Sequence, residues 1–141
     1  MPALNAAARA ALEAGNLAHL VTLNADGSPH LTVVWVGLDG DEVVSAHLRE
    51  LHKIRNVRRN GRVALSMATG GRNEIGLDEY LVVNGTARIT EGGAPELLQR
   101  LAYEYIGPGV KFPPFDDPPP GYVMRITVDR VSGVGPWAEP A

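Results

Sequence analysis

Apolar and polar positions alternate with a period of two through most of the chain, and three stretches switch to a period near 3.6. Leu17 to Asn24 (LAHLVTLN) predicts a short strand closed by Ala25-Asp26-Gly27-Ser28, where Asp-Gly supplies the positive φ of a tight hairpin. Pro29 opens the next strand at a position that needs no ladder donor, and His30 to Leu38 (HLTVVWVGL) is rich in β-branched and aromatic residues. Asp39-Gly40-Asp41 turns the chain into Glu42 to His47, so the first three strands are expected to form an antiparallel meander. Further strands are predicted over Arg62 to Thr69, over Tyr80 to Thr90 with Gly85 as a bulge or close-approach point, and over Tyr122 to Val134, which alternates cleanly. Helices are predicted over Ala3 to Glu13, over Leu48 to Asn60 with Gly61 as its stop, and over Ala94 to Ile106 with Pro95 near its start. Gly70 to Leu77 and the proline-rich Gly107 to Gly121 read as loops. About six antiparallel strands with two or three helices make a mainly β or α+β barrel, and with no repeat or linker residues 1–141 are expected to form one domain.

Composition narrows the chemistry. The chain has no cysteine, so disulfides, thiolate metal ligands and a thiol nucleophile are excluded, as suits a reducing cytoplasm. Met1 to Gly15 carries Arg9 and Glu13 and lacks the apolar run of a secretory leader, and no stretch approaches the ~20 apolar residues of a membrane span. A net charge of −3 argues against bulk attraction to nucleic acid.

Against that acidic background, six of the thirteen lysines and arginines fall between Arg49 and Arg62, with Glu50 the one acid among them. On a helical wheel Leu51, Ile54 and Val57 share one side, while Arg49, His52, Lys53, Asn56 and Arg59 gather opposite. A charge run on a helix is ordinarily a solvated face. The same clustering also suits a focused anion site, because a helix N-terminus presents unpaired N–H groups and a lysine in the first turn adds a full charge.

Three ordered segments carry a family resemblance. They are Leu20 to His30 (L-x-T-L-x-x-D-G-x-P-x) with Val33-Val34-Trp35 behind it, Lys53 to Leu65 (KIRNVRRNGRVAL), and Tyr80 to Ala87 (YLVVNGTA). In this order they resemble the pyridoxamine-phosphate-oxidase-like split barrels, and within them the branch that uses the deazaflavin coenzyme F420. The resemblance implies a homodimer with the cofactor in a groove between subunits, its ring against the second and third strands and its phosphate at the start of the basic helix. Matched by position, it places His30, Thr32, Val33 and Val34 at the ring, and Arg49, Lys53, Arg55 and Asn56 at the phosphate and the way out to the tail. Arg58, Arg59 and Arg62 would serve the acidic oligoglutamate tail. The implied activity is hydride transfer from reduced F420 to an electron-poor conjugated small molecule. An FMN-dependent oxidoreductase of the same fold and a non-enzymatic carrier of cofactor, haem or nucleic acid are the alternatives.

Two departures qualify the match. The C-terminus, Gly133 to Ala141 (GVGPWAEPA), lacks the basic substrate signature of enzymes that oxidise pyridoxamine phosphate, and Leu51 stands where some deazaflavin relatives carry a second basic ligand. No pair of histidines has metal spacing with a third ligand, so no metal is expected. Ser45 and Ser66 lack a Gly-x-Ser-x-Gly context, Trp35 and Trp137 read as packing residues, and Gly70-Gly71-Arg72-Asn73 suits an anion cradle or a plain hairpin equally.

Overall fold

The computed structural model describes residues 4–138; the expected helix start at Ala3 and the last residues of the C-terminal segment lie outside them. The chain runs α1 (Ala6–Leu12), β1 (Ala18–Leu23), β2 (Pro29–Val34), β3 (Gly37–Asp39), β4 (Glu42–His47), α2 (His52–Arg59), β5 (Arg62–Arg72), β6 (Asp78–Glu91), α3 (Ala94–Tyr105) and β7 (Tyr122–Val134). All seven strands join one antiparallel sheet in the order β2-β1-β5-β6-β7-β4-β3. The β1–β2 hairpin closes as expected: Gly27 has φ +84°, and Asp26 Oδ1 accepts the Ser28 N–H at 3.0 Å.

The meander does not form. His30 to Leu38 breaks at Trp35-Val36 into β2 and β3, which is why there are seven strands, and these two lie at opposite edges of the sheet. The break has a local cause: the Val36 N–H donates to the Tyr105 hydroxyl at 2.9 Å instead of to a strand, and Trp35 stacks on the Tyr105 ring with centroids 5.2 Å apart. It also fixes the global shape. Three Cα steps separate Val34 from Gly37, a reach of at most about 11 Å, whereas seven strands laid flat would put their edges roughly 29 Å apart. The sheet therefore curls until its edges approach, giving a barrel with an unpaired split between β2 and the β3–β4 hairpin.

The core fills the barrel interior with Leu20, Val43, Leu65, Met67, Leu81, Val83, Met124 and Ile126, all at most 2% exposed. Along β7 the expected clean alternation resets at Asp129, because Asn84 pairs with Arg130 while Gly85 pairs with Val128. Gly85 sits at this bulge, where a Cβ would meet the Thr127 carbonyl and the Ile126 side chain. Gly61 serves differently from the expected helix cap: Asn60 ends α2 in an extended conformation, and a Cβ at Gly61 would lie 2.6 Å from the Ala87 carbonyl oxygen. The expected Gly70 to Leu77 loop narrows to residues 73–77, where Asn73 Oδ1 accepts the Ile75 and Leu77 N–H groups and Arg72 pairs with Asp78 at 3.0 Å. That segment is a hairpin whose polar groups are used internally.

Among the helices, α1 adds Ala8, Ala11 and Leu12 to the core, and α3 packs outside β4. The third, α2, packs on β1 and β6 and covers the barrel end where β1, β4 and β6 finish and β2, β5 and β7 begin. No described helix is long and apolar enough to cross a membrane.

Candidate functional site

The covered end of the barrel gathers the polar side chains. Along β2, Leu31 and Val33 are exposed on the outer face, whereas His30, Thr32 and Val34 turn towards α2 and the core. The period of two thus separates residues expected to share one ring site: Val34 is a core residue, and Val33 lies on the opposite face from His30 and Thr32.

The wheel for α2 also needs correction. Its buried arc is Lys53, Ile54, Asn56 and Val57, so two members of the expected cationic face point inward. Burial of polar groups is tolerated only with partners, and Asn56, fully buried, has them: its Nδ2 donates to Thr22 Oγ1 at 3.1 Å and Asn24 Oδ1 at 3.0 Å, and its Oδ1 accepts from Arg59 at 2.7 Å. The amide is committed to docking α2 on β1. Asn24 Oδ1, an acceptor only, also lies 2.8 Å from His52 Nε2, so this nitrogen carries the ring proton. The His52 ring meets the His30 ring edge-on, with centroids 4.8 Å apart.

Lys53 is different. The residue is 7% exposed, its ammonium donates to Thr32 Oγ1 at 3.1 Å, and among the described residues no carboxylate lies within ion-pair distance. Burial pushes its pKa below the usual lysine value. An ammonium has three donors, so a buried cation with one hydroxyl partner can accept an anion supplied from outside the chain. It stands in the first turn of α2, whose N-terminus has no side-chain cap. Both features favour an oxyanion there.

The other cations flank this point. Arg49 and Arg55 are exposed at the start of α2, and Arg55 donates to the Glu50 carbonyl at 3.0 Å. Arg58 lies over the Tyr122 ring, 5.2 Å from its centroid, and pairs with Glu50 at 3.4 Å. Arg59 is held by Asn56, and Arg62 is exposed at the start of β5.

Sequence reasoning missed Ser45 and His47. Both are buried, with Ser45 Oγ and His47 Nε2 2.9 Å apart. Burial, and after it the Lys53 charge, push the His47 pKa down to about 4. The signal was present in the spacing, since residues two apart in a strand share a face. Among the described residues no three His, Asp or Glu side chains are grouped to hold a metal.

The fold agrees with what the chain is similar to. A solved F420 reductase is 25% identical, with a TM-score of 0.71 over 88% of this chain and 94% of that one. A conserved hypothetical protein from Mycobacterium tuberculosis is also 25% identical, with a TM-score of 0.73 over 92% and 83%. HupZ from Group A Streptococcus, 20% identical with a TM-score of 0.66 over 98% and 100%, shares the fold. No curated protein sequence matches the chain. The pyridoxamine 5'-phosphate oxidase family model matches residues 4–135, nearly the whole of the barrel described above, and the chain belongs to that family of split barrels.

Proposed function

We propose that this protein is an oxidoreductase that binds the deazaflavin coenzyme F420 and passes a hydride from it to an electron-poor conjugated small molecule. The observation that carries the reading is Lys53, a buried lysine whose ammonium has, among the described residues, one hydroxyl partner and no carboxylate, at an uncapped helix N-terminus. A cofactor phosphate satisfies that demand, and a charge-assisted contact of this kind is stronger than a neutral hydrogen bond. The similarity to a solved F420 reductase supports the choice of deazaflavin. So do the exposed Arg49, Arg55 and Arg62, which suit a cofactor with a long anionic tail better than one with a single phosphate.

When bound, the deazaflavin supplies a two-electron hydride donor that reacts slowly with oxygen. The chain's own part is to hold and orient it. Lys53 takes the phosphate, Thr32 fixes the direction of the lysine, Asn56 fixes α2 on β1, and Arg49 and Arg55 extend the positive field outward. His30 and Thr32, on the inward face of β2, border the same region and are assigned to the ring, with Val33 and Val34 contributing through the strand backbone. The adjacent outer face of β2, with Leu31 61% and Val33 51% exposed, is the surface assigned to a second subunit of a homodimer.

An FMN enzyme of the same fold is the second reading, since Lys53 would serve its phosphate equally. Titration of the apoprotein with F420, FMN and haem separates these from a haem carrier. Turnover is then followed with F420 deuterated at the reactive ring carbon against a panel of conjugated enones and quinones. Deuterium at the carbon β to the activating group is the expected product; tight F420 binding with no labelled product across the panel would replace the reductase by a carrier.

A further inference from the structure

On β4 the inward positions alternate Val43, Ser45 and His47, all buried, while Val44 turns the other way towards α3. His47 therefore lies at the barrel end that α2 covers, and its one side-chain hydrogen bond among the described residues is to Ser45 Oγ. Cationic and neutral groups stand on the elements beside it. From α2 comes the Lys53 ammonium; from β7 comes Tyr122, the cross-strand partner of His47, with the Arg58 guanidinium over its ring. Two acids stand at this end: Glu50, half-exposed and paired with Arg58, and Glu91, exposed on β6 as the other cross-strand partner of Tyr122. Two buried basic groups thus lie at one end of the barrel, and among the described residues neither has a carboxylate within ion-pair distance.

A hydroxyl is the one common partner that suits an imidazole in both charge states. It donates to the neutral ring and accepts from the protonated one. The Ser45–His47 contact can therefore survive protonation by rotation of the Ser45 O–H, without movement of either residue. A carboxylate would have favoured the charged form and a backbone N–H the neutral form. What keeps the ring neutral is burial and the Lys53 charge, and an anion at Lys53 cancels the second of these.

We propose that Ser45 and His47 are the proton-accepting part of the Lys53 anion site, so that binding of a phosphate-class oxyanion there is coupled, in the acid range, to uptake of one proton by His47. The proposal rests on the reading of Lys53 as an anion ligand. Because the bound form holds the proton more tightly than the free form, anion affinity rises as pH falls and levels off once both forms are protonated.

The test uses sulfate, which stays doubly charged across the range, with chloride at equal ionic strength as reference and FMN as a second ligand. Imidazole resonances are followed by NMR against pH, and His47→Gln assigns the His47 signal. In sulfate the His47 midpoint is expected to lie about one unit higher than in chloride, and sulfate to bind about fivefold more tightly at pH 4 than at pH 7, approaching tenfold only below both midpoints. In His47→Gln, which leaves His30 and His52 in place, the His47-linked part of that pH dependence disappears while sulfate still binds at pH 7. The wild-type titration stands alone if the variant does not fold. Binding of sulfate or FMN with an unmoved His47 midpoint would overturn the proton coupling and leave the anion site intact. Failure of sulfate, FMN and F420 alike to bind would overturn the anion site, and the coupling with it.

Discussion

Lys53 and Arg58 belong to one helix, yet their surroundings give them different consequences. Lys53 is buried with Thr32 as its partner, whereas Arg58 is 40% exposed and shared between Glu50 and the face of Tyr122. Lys53→Ala is expected to weaken cofactor binding by roughly 1.5–3 kcal/mol, ten- to over a hundredfold on a titration curve. Arg58→Ala should leave that curve in place and lower the denaturation midpoint by an amount equivalent to about 1 kcal/mol, the scale of a surface ion pair plus a cation–π contact. Equal affinities for the Lys53 variant and the parent would remove the phosphate assignment. The helical wheel placed Lys53 on the cationic face opposite Leu51, Ile54 and Val57, and the structure turns it inward. A helical wheel gives angles between side chains and does not say which arc meets the sheet.

At the scale of elements, the joint between β2 and β3 controls closure of the barrel. The Tyr105 hydroxyl accepts the Val36 N–H at 2.9 Å and donates to the Asn16 carbonyl at 2.6 Å, so one atom ties the crossing chain to α3 and to the α1–β1 connection. Tyr105→Phe keeps the ring that stacks on Trp35 but orphans both groups. It is expected to cost about 1–3 kcal/mol in chemical denaturation, and a loss below a few tenths would show that water replaces the hydroxyl. Sequence reasoning read His30 to Leu38 as one strand. Its composition is strand-like throughout; the break is imposed by a hydroxyl that lies 69 positions further along the chain.

For the whole molecule, two properties can be measured without a ligand. The first is assembly. The protein is expected to sediment at twice the 15.0 kDa chain mass, and a Leu31→Glu, Val33→Glu double variant to run as a monomer with its far-UV spectrum intact, since both side chains point out of the barrel. A monomeric parent at micromolar concentration would refute the dimer. The second is stability against pH. His47 has its pKa depressed from 6.5 to about 4 in the folded chain, so between these values the unfolded chain holds more protons and stability falls as the pH is lowered through that window. The loss amounts to about 3 kcal/mol. Below it the Glu42 carboxyl, held below its usual value by the Arg88 side chain, adds a loss of the same sign as it protonates. His47→Gln should flatten the curve between pH 6.5 and 4 and leave the lower limb; an unchanged curve would mean that His47 titrates normally.

By itself the sequence determined the local elements, the Asp26-Gly27 hairpin, the close approach at Gly85 and the concentration of positive charge on α2, because each depends on residues within a few positions of one another. The ordered segments also carried the family. Only the tertiary structure decided that β2 and β3 stand at opposite edges, that Lys53 and Asn56 turn inward while Val33 turns outward, and that Ser45 and His47 are buried against each other at the barrel end α2 covers. These follow from closing one sheet on itself and laying a helix across its end, and that closure brings together strands whose pairing no local pattern encodes.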